Sequence, residues 1–251
     1  MIFVKSEDLK YGMRLAKPIY NKTGVLLYER NTRLTLQGIE SVKNFGLLGL
    51  YILEPAEPVP PMSEEDLDFE RFQTMAVFSI REELDNIIAG REPINLKRLA
   101  NAIITNYGRL DHKITFTQNL RSTTDYVYKH VINTAILCAL ISAQVYYTPT
   151  EQEELVLAAL LHDIGKLLLP NKVREKYDDY DTNDLIIVKK IQNDGLGLLR
   201  PEIGIDSGVR RIVAQIHRME YGNSNLEQGK ILKSTKILKV ANLFDTMTCM
   251  K

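Results

Sequence analysis

The chain is predicted to be mainly α-helical, a small N-terminal α+β module followed by an all-helical domain, and three observations in its 251 residues carry that prediction. The first fifty or so residues hold short apolar runs broken by turn residues. Four prolines then crowd into Glu54-Pro55-Ala56-Glu57-Pro58-Val59-Pro60-Pro61. Nearly everything beyond shows helical spacing and helix-capping residues. The expected boundaries are the module at 1–54, a stiff, extended linker at 55–62 and the helical domain at 63–251.

Within the module, Ala16-Lys17-Pro18-Ile19-Tyr20 and Val25-Leu26-Leu27-Tyr28 flank Asn21-Lys22-Thr23-Gly24, the make-up of a β-hairpin. Thr35 opens a short helix with Leu36, Ile39, Val42 and Phe45 on one face, and Gly46 ends it before the strand-like Leu50-Tyr51-Ile52-Leu53. After the linker, Ser63 with Glu64, Glu65 and Asp66 supplies an N-cap and an acidic first turn for a helix running toward Gly90. Further helices are expected over Asn95 to Tyr107, Gln118 to Tyr147, and Thr150 to Leu168, the last with Thr150 and Glu153 as a capping box. Shorter helices should follow from Asp184, Gly208 and Ser234.

Lys plus Arg and Asp plus Glu are both 32, so the net charge is zero. That leaves no global basic field for nucleic acid or a membrane surface, neither of which is expected as a partner, and a polyanionic substrate must be caught locally. Cys138 and Cys249 are far apart, and Cys138 sits in an apolar run, which favours a reducing compartment over a disulfide framework. The N-terminus meets charge too early for a secretory signal. The apolar stretches around Ala135 to Ala143 and Leu155 to Leu161 fall short of the roughly 20 residues that span a bilayer. A cytoplasmic location is expected.

The chemistry concentrates in Leu161-His162-Asp163-Ile164-Gly165-Lys166, which closes a strongly apolar helix. Imidazole and carboxylate held side by side on rigid backbone suit a divalent metal, and a Cys-poor site argues against a structural zinc knuckle. Gly165 can turn the chain out of the helix, and Lys166 then points a cation at the same neighbourhood, where it can hold a phosphate oxygen. The plain alternative is a helix C-cap with a surface lysine. His130 shares a helix face with Tyr126 and Asn133 and is either a ligand or a core histidine. His217 is a further ligand candidate, with Glu220 one turn on as an ordinary charged partner. Asp245 can cap, pair with a lysine or bind metal, and His112, in a polar segment, reads as surface.

Tyr126-x-x-x-His130-x-x-Asn133, His162-Asp163-Ile164-Gly165-Lys166 and Val240-Ala241-Asn242-Leu243-Phe244-Asp245-Thr246-Met247-Thr248 together resemble the HD-GYP branch of the HD phosphohydrolase superfamily. The stretch from Leu9 to Tyr20, with Gly24 and Leu34-Thr35 after it, resembles the small module that often precedes HD-GYP domains. The resemblance implies hydrolysis of the second messenger cyclic di-GMP at a cluster of two or three metals, often iron or manganese. A metal-activated hydroxide would attack the phosphodiester while Lys166 steadies the phosphate. It implies Asp163 and Lys166 as catalytic residues and His130, His162, Asp163 and His217 as metal ligands, with Asp245 able to reach over.

The chain also departs from the family pattern. Ile191 and Ile216 stand where family histidines are expected, and Asn242 stands at the late metal-binding aspartate. The Gly-Tyr-Pro loop is replaced near Gly222-Asn223-Ser224-Asn225-Leu226. The chain ends at Lys251, where family members continue into an Arg-Pro-Tyr-Arg segment, so a C-terminally short member is expected.

A degenerate HD-GYP-like protein follows, with an incomplete site for a divalent metal (iron, manganese or zinc) that holds one ion or none. It is expected to bind cyclic di-GMP or a related nucleotide, or a protein partner in signalling, with weak or no phosphodiesterase activity, and a homodimer is left open. The alternative is an active metal-dependent cyclic di-GMP phosphodiesterase.

Overall fold

A computed structural model describes residues 1–109, 125–176, 179–222 and 231–248. His112, the expected helix start at Gln118, residues 223–226 of the Gly-Tyr-Pro replacement and the end from Cys249 lie outside those residues. Strands β1 (Ile2–Lys5), β2 (Arg14–Leu15) and β5 (Gly49–Leu53) form an antiparallel sheet in the order β1-β5-β2. The expected hairpin pairs β3 (Ile19–Tyr20) with β4 (Leu26–Tyr28). Its turn is tied by Asn21 Oδ1, which accepts from the Thr23 and Val25 amides, each at 2.9 Å. Gly24 adopts a φ of 79°, a conformation costly for any residue with a Cβ.

Thr35 caps α1 (Leu36–Asn44) by accepting from the Gly38 amide. Ile39 and Val42 pack with Leu15, Leu34 and Ile52 in the module's own core. Leu36 and Phe45 were expected on that face too, but both are exposed because they sit at the first residue and the C-cap of a short helix.

Helices make up most of the remaining described chain: α2 (Glu64–Ile88), α3 (Leu96–Tyr107), α4 (Tyr126–Gln144), α5 (Pro149–Leu161), the single turn α6 (Asn171–Arg174), α7 (Thr182–Leu198), α8 (Ser207–Tyr221) and α9 (Lys233–Thr248). Ser63 and Asp66 form a capping box on α2. On α5 the capping box is Thr148 with Glu151 rather than Thr150 with Glu153. Pro149 decides this, since its fixed φ and missing N–H suit the first helical position.

The far end of α5 also differs from expectation. The α-helix stops at Leu161, and the chain tightens into a 3-10 turn over Ile164–Leu168. Gly165 serves there by smallness and not by a left-handed turn, since it is not among the positive-φ glycines. A Cβ on Gly165 would meet the Gln192 Cα at 2.8 Å and the Ile191 carbonyl oxygen at 2.9 Å. Gly195 is pressed on the same turn from α7, so two glycines let two backbones touch.

The core centres on α4, which packs against α2, α3, α5 and α9. It is also the one helix among the described residues long and apolar enough to cross a membrane, and 72% of that window is buried inside the protein. Leu160 on α5 is wholly buried in this core. Leu160→Ala is expected to cost about 2–5 kcal/mol, read as a lower urea midpoint at unchanged slope.

The module meets the helices through a buried polar contact. Lys129 of α4 donates to the Tyr51 hydroxyl at 2.8 Å and pairs with Asp125 at 2.8 Å. Lys17 pairs with Glu70 of α2. Both ammonium groups lie over the Tyr51 ring, 4.9 Å and 4.7 Å from its centroid. Burial pushes the Tyr51 phenol up to about 12. Between module and helices lies a cavity of about 100 Å³ whose walls include Tyr51, Gln73 and Lys129.

Candidate metal centre

The helix end places His162 as the C-cap of α5 and Asp163 as the residue before the 3-10 turn, both buried. His130 comes to meet them from the middle of the core helix α4, stacked on Tyr126 at a centroid distance of 5.9 Å. One ligand atom from each of His130, His162 and Asp163 lies within 4.8 Å of the others. Among the described residues this is the one such group of three histidine, cysteine or carboxylate side chains.

The hydrogen bonds behind the rings decide which nitrogens face the centre. His130 Nδ1 is 2.6 Å from Asp245 Oδ2, and an ionised carboxylate can only accept, so the ring donates from Nδ1. His162 Nδ1 donates to the Ala159 carbonyl at 2.8 Å. Both Nε2 atoms are therefore left with their lone pairs inward. They are buried without a hydrogen-bond partner, 3.4 Å and 3.5 Å from Asp163 Oδ2. Unsatisfied buried acceptors of this kind fit a cation, and two imidazoles with one carboxylate form a donor set that suits iron, manganese or zinc with positions left open.

Asp163 is held from two further sides. Lys166 Nζ lies 2.8 Å from its Oδ2, and Gln192 of α7 donates from Nε2 to its Oδ1 at 3.0 Å. Burial works against ionisation of this carboxyl, but Lys166 and the two imidazoles overcome it and hold the group well below the usual carboxylate range. Burial likewise holds the His162 imidazole below its ordinary 6.5, with Asp163 opposing in part.

These two shifts act on stability in the same direction. At His162 the unfolded chain binds more protons below pH 6.5. At Asp163 it does so below pH 3.8. Stability present at neutral pH is thus lost in two stages as pH falls. Urea midpoints at about pH 7.5, 6 and 5 are expected to decrease in that order, the early loss coming from the histidine.

His217 and Asp245 lie beside this group and not in it. His217 donates from Nε2 to the His162 backbone carbonyl at 2.6 Å, which clamps α8 onto the end of α5. Its other nitrogen is buried without a partner. Asp245, wholly buried on α9, orients His130 and accepts from Asn133 Nδ2 at 3.2 Å. A carboxylate behind a ligating histidine fixes its tautomer and raises its basicity. Asn242 donates to Glu220 Oε1 at 2.7 Å, and Lys239 donates to the same oxygen at 2.9 Å. Ile216 is wholly buried in the main core, and Ile191 packs on a small apolar cluster with Leu169, Val173 and Val188. Both positions hold packing side chains.

Gln192 and Gln73 escaped the sequence reading although each carried a signal. Gln192 follows Asp184 and Val188 along the buried stripe of α7, and Gln73 sits between Phe69 and Ala76 on that of α2. An uncharged polar residue on an apolar stripe needs a buried partner. A cavity of about 290 Å³ opens beside the centre, bordered by Lys166, Tyr180, Glu220, Lys239, Asn242 and Thr246. Lys166 thus touches both the carboxylate and the cavity.

Residues 127–247 match the family model of the HD domain. That match supports the HD phosphohydrolase superfamily and, with the His-His-Asp group, a metal-dependent hydrolase. Neither the curated proteins nor the solved structures give a significant match.

Proposed function

We propose, proceeding from the HD domain at residues 127–247, that the chain is a degenerate HD-GYP-like signalling protein. It holds one divalent ion at His130, His162 and Asp163 and binds the phosphate of cyclic di-GMP or a related nucleotide with weak or no turnover. The observation that carries the reading is the pair of inward, unpartnered Nε2 atoms facing Asp163, with all three side chains buried. When bound, a divalent ion supplies Lewis-acid polarisation of a phosphate oxygen and acidification of water.

The protein's own groups do the rest. Asp245 and the Ala159 carbonyl orient the two rings, and Gln192 orients the carboxylate. Lys166 borders the cavity in which a phosphate would sit and offers it a cation. Packing of Ile191 and Ile216 in apolar clusters supports a single ion, because a clamp on both attacking and leaving oxygens needs a second set of ligands. The cytoplasm, where such a messenger would be met, is the location this reading implies.

Elemental analysis of the full chain loaded with iron, manganese or zinc is expected to find one ion per chain, and calorimetry to find cyclic di-GMP binding. Lys166→Met is expected to weaken that binding about tenfold, a charge-assisted phosphate contact of roughly 1.4 kcal/mol. Absence of any metal would overturn the proposal. Fast cleavage abolished by a chelator would instead establish the active phosphodiesterase.

A further inference from the structure

Two chains of contacts leave the module-helix interface and converge on His130. The first runs through side chains buried along its length. Gln73 of α2 borders the interface cavity and donates from Nε2 to Asn133 Oδ1 at 3.4 Å. Asn133 donates from Nδ2 to Asp245 Oδ1 at 3.2 Å, and Asp245 Oδ2 accepts from His130 Nδ1 at 2.6 Å. The second runs along the backbone of α4. Lys129, the residue before His130, is bonded to Tyr51 on β5 and to Asp125 at the N-cap of the same helix. Strand β3 of the module also packs on α2, the helix that carries Gln73.

The geometry of the metal site therefore depends on how the module sits. A small displacement of α2 lengthens the Gln73-Asn133 bond, which is already long, and a displacement of β5 pulls on Lys129 one residue from the ligand. Asn133 and His130 are bonded to the two oxygens of the same Asp245 carboxylate, so rotating Asn133 turns the carboxylate and with it the ring. We infer that the N-terminal module sets the metal affinity of the centre, with Gln73 and Asn133 acting as positioning residues for His130 through Asp245. The inference rests on the metal-centre reading above.

The test uses the full chain and cobalt(II), whose visible spectrum reports ligand geometry. Gln73→Met keeps length and apolar bulk and removes the amide donor. Tyr51→Phe keeps the ring under the two ammonium groups and removes the hydroxyl that accepts from Lys129. Gln73→Met is expected to weaken cobalt binding about tenfold, the lower end of what outer-shell changes cost, with shifted cobalt bands. Tyr51→Phe is expected to weaken it less and in the same direction.

A merely structural role would lower the melting temperature of both variants and leave the affinity and spectrum of the folded protein as in wild type. That result in both variants would overturn the inference while the metal centre stands. A wild-type chain that binds no cobalt would overturn the metal centre and the inference together. Weaker binding in either variant, at a melting temperature still well above the assay, supports the coupling.

Discussion

His162→Ala is expected to lose metal binding by more than about 100-fold, beyond the 10- to 100-fold range of outer-shell substitutions, because it removes one of three converging ligand atoms. The helical fold should persist at reduced stability. The lost ring leaves a wholly buried gap and deprives the Ala159 carbonyl of a donor, a penalty of about 1–3 kcal/mol. His217→Ala makes the informative comparison. It removes a clamp on the His162 carbonyl and no atom of the converging group, so stability should fall while most metal affinity survives. Equilibrium dialysis with zinc or manganese, run beside thermal melts, separates the two. Equal loss of affinity in both variants would mean that His217 turns inward and serves as a ligand.

Gly195→Ala is expected to disturb folding strongly although it adds only one methyl group. The added methyl would meet the Gly165 Cα at 2.5 Å and its amide nitrogen at 2.7 Å. No flexible side chain can yield there, so α7 must shift from the 3-10 turn. Overpacking of this kind costs about 1–3 kcal/mol. At roughly 2–4 °C per kcal/mol for a chain of this size, the melting temperature should drop by about 2–12 °C. The same shift draws Gln192 away from Asp163, so metal affinity should fall too. An unchanged melting temperature would show that the two backbones can separate without cost.

What the sequence made legible follows the range of the forces involved. Caps and turns are local, so the hairpin around Asn21 to Gly24, the α1 cap at Thr35 and the N-cap at Ser63 were all readable from neighbouring residues. The helix patterns of α2 and α3 were readable for the same reason. His130, His162 and Asp163 were readable as a set because each is a ligand-type side chain in an apolar setting and their two separate motifs point to the same family resemblance, and the fold brings the three together. The end of α5 was not. It is fixed by a contact between Gly165 and Gly195, and nothing local to residues 161–168 reveals the partner. Lys129 was unreadable in the same way, since a lysine on a helix looks solvated until Tyr51 and Asp125 close over it. His217 had the right residue type and the right neighbourhood, and only the direction of its hydrogen bond distinguishes a clamp from a ligand.

The anchoring of both imidazoles by their Nδ1 atoms has a consequence for where entropy is lost. His130 is pinned by Asp245 and His162 by Ala159, in contacts that belong to the folded core. Ring rotation is thus frozen when the chain folds, and an arriving ion meets side chains with little freedom left to surrender. Folding and metal capture become separable events, unlike in small domains whose only order comes from their ion. Stripping with a chelator is accordingly expected to leave a single cooperative melt, lowered only by the lost binding energy, and re-addition of the ion should restore it without a slow refolding phase.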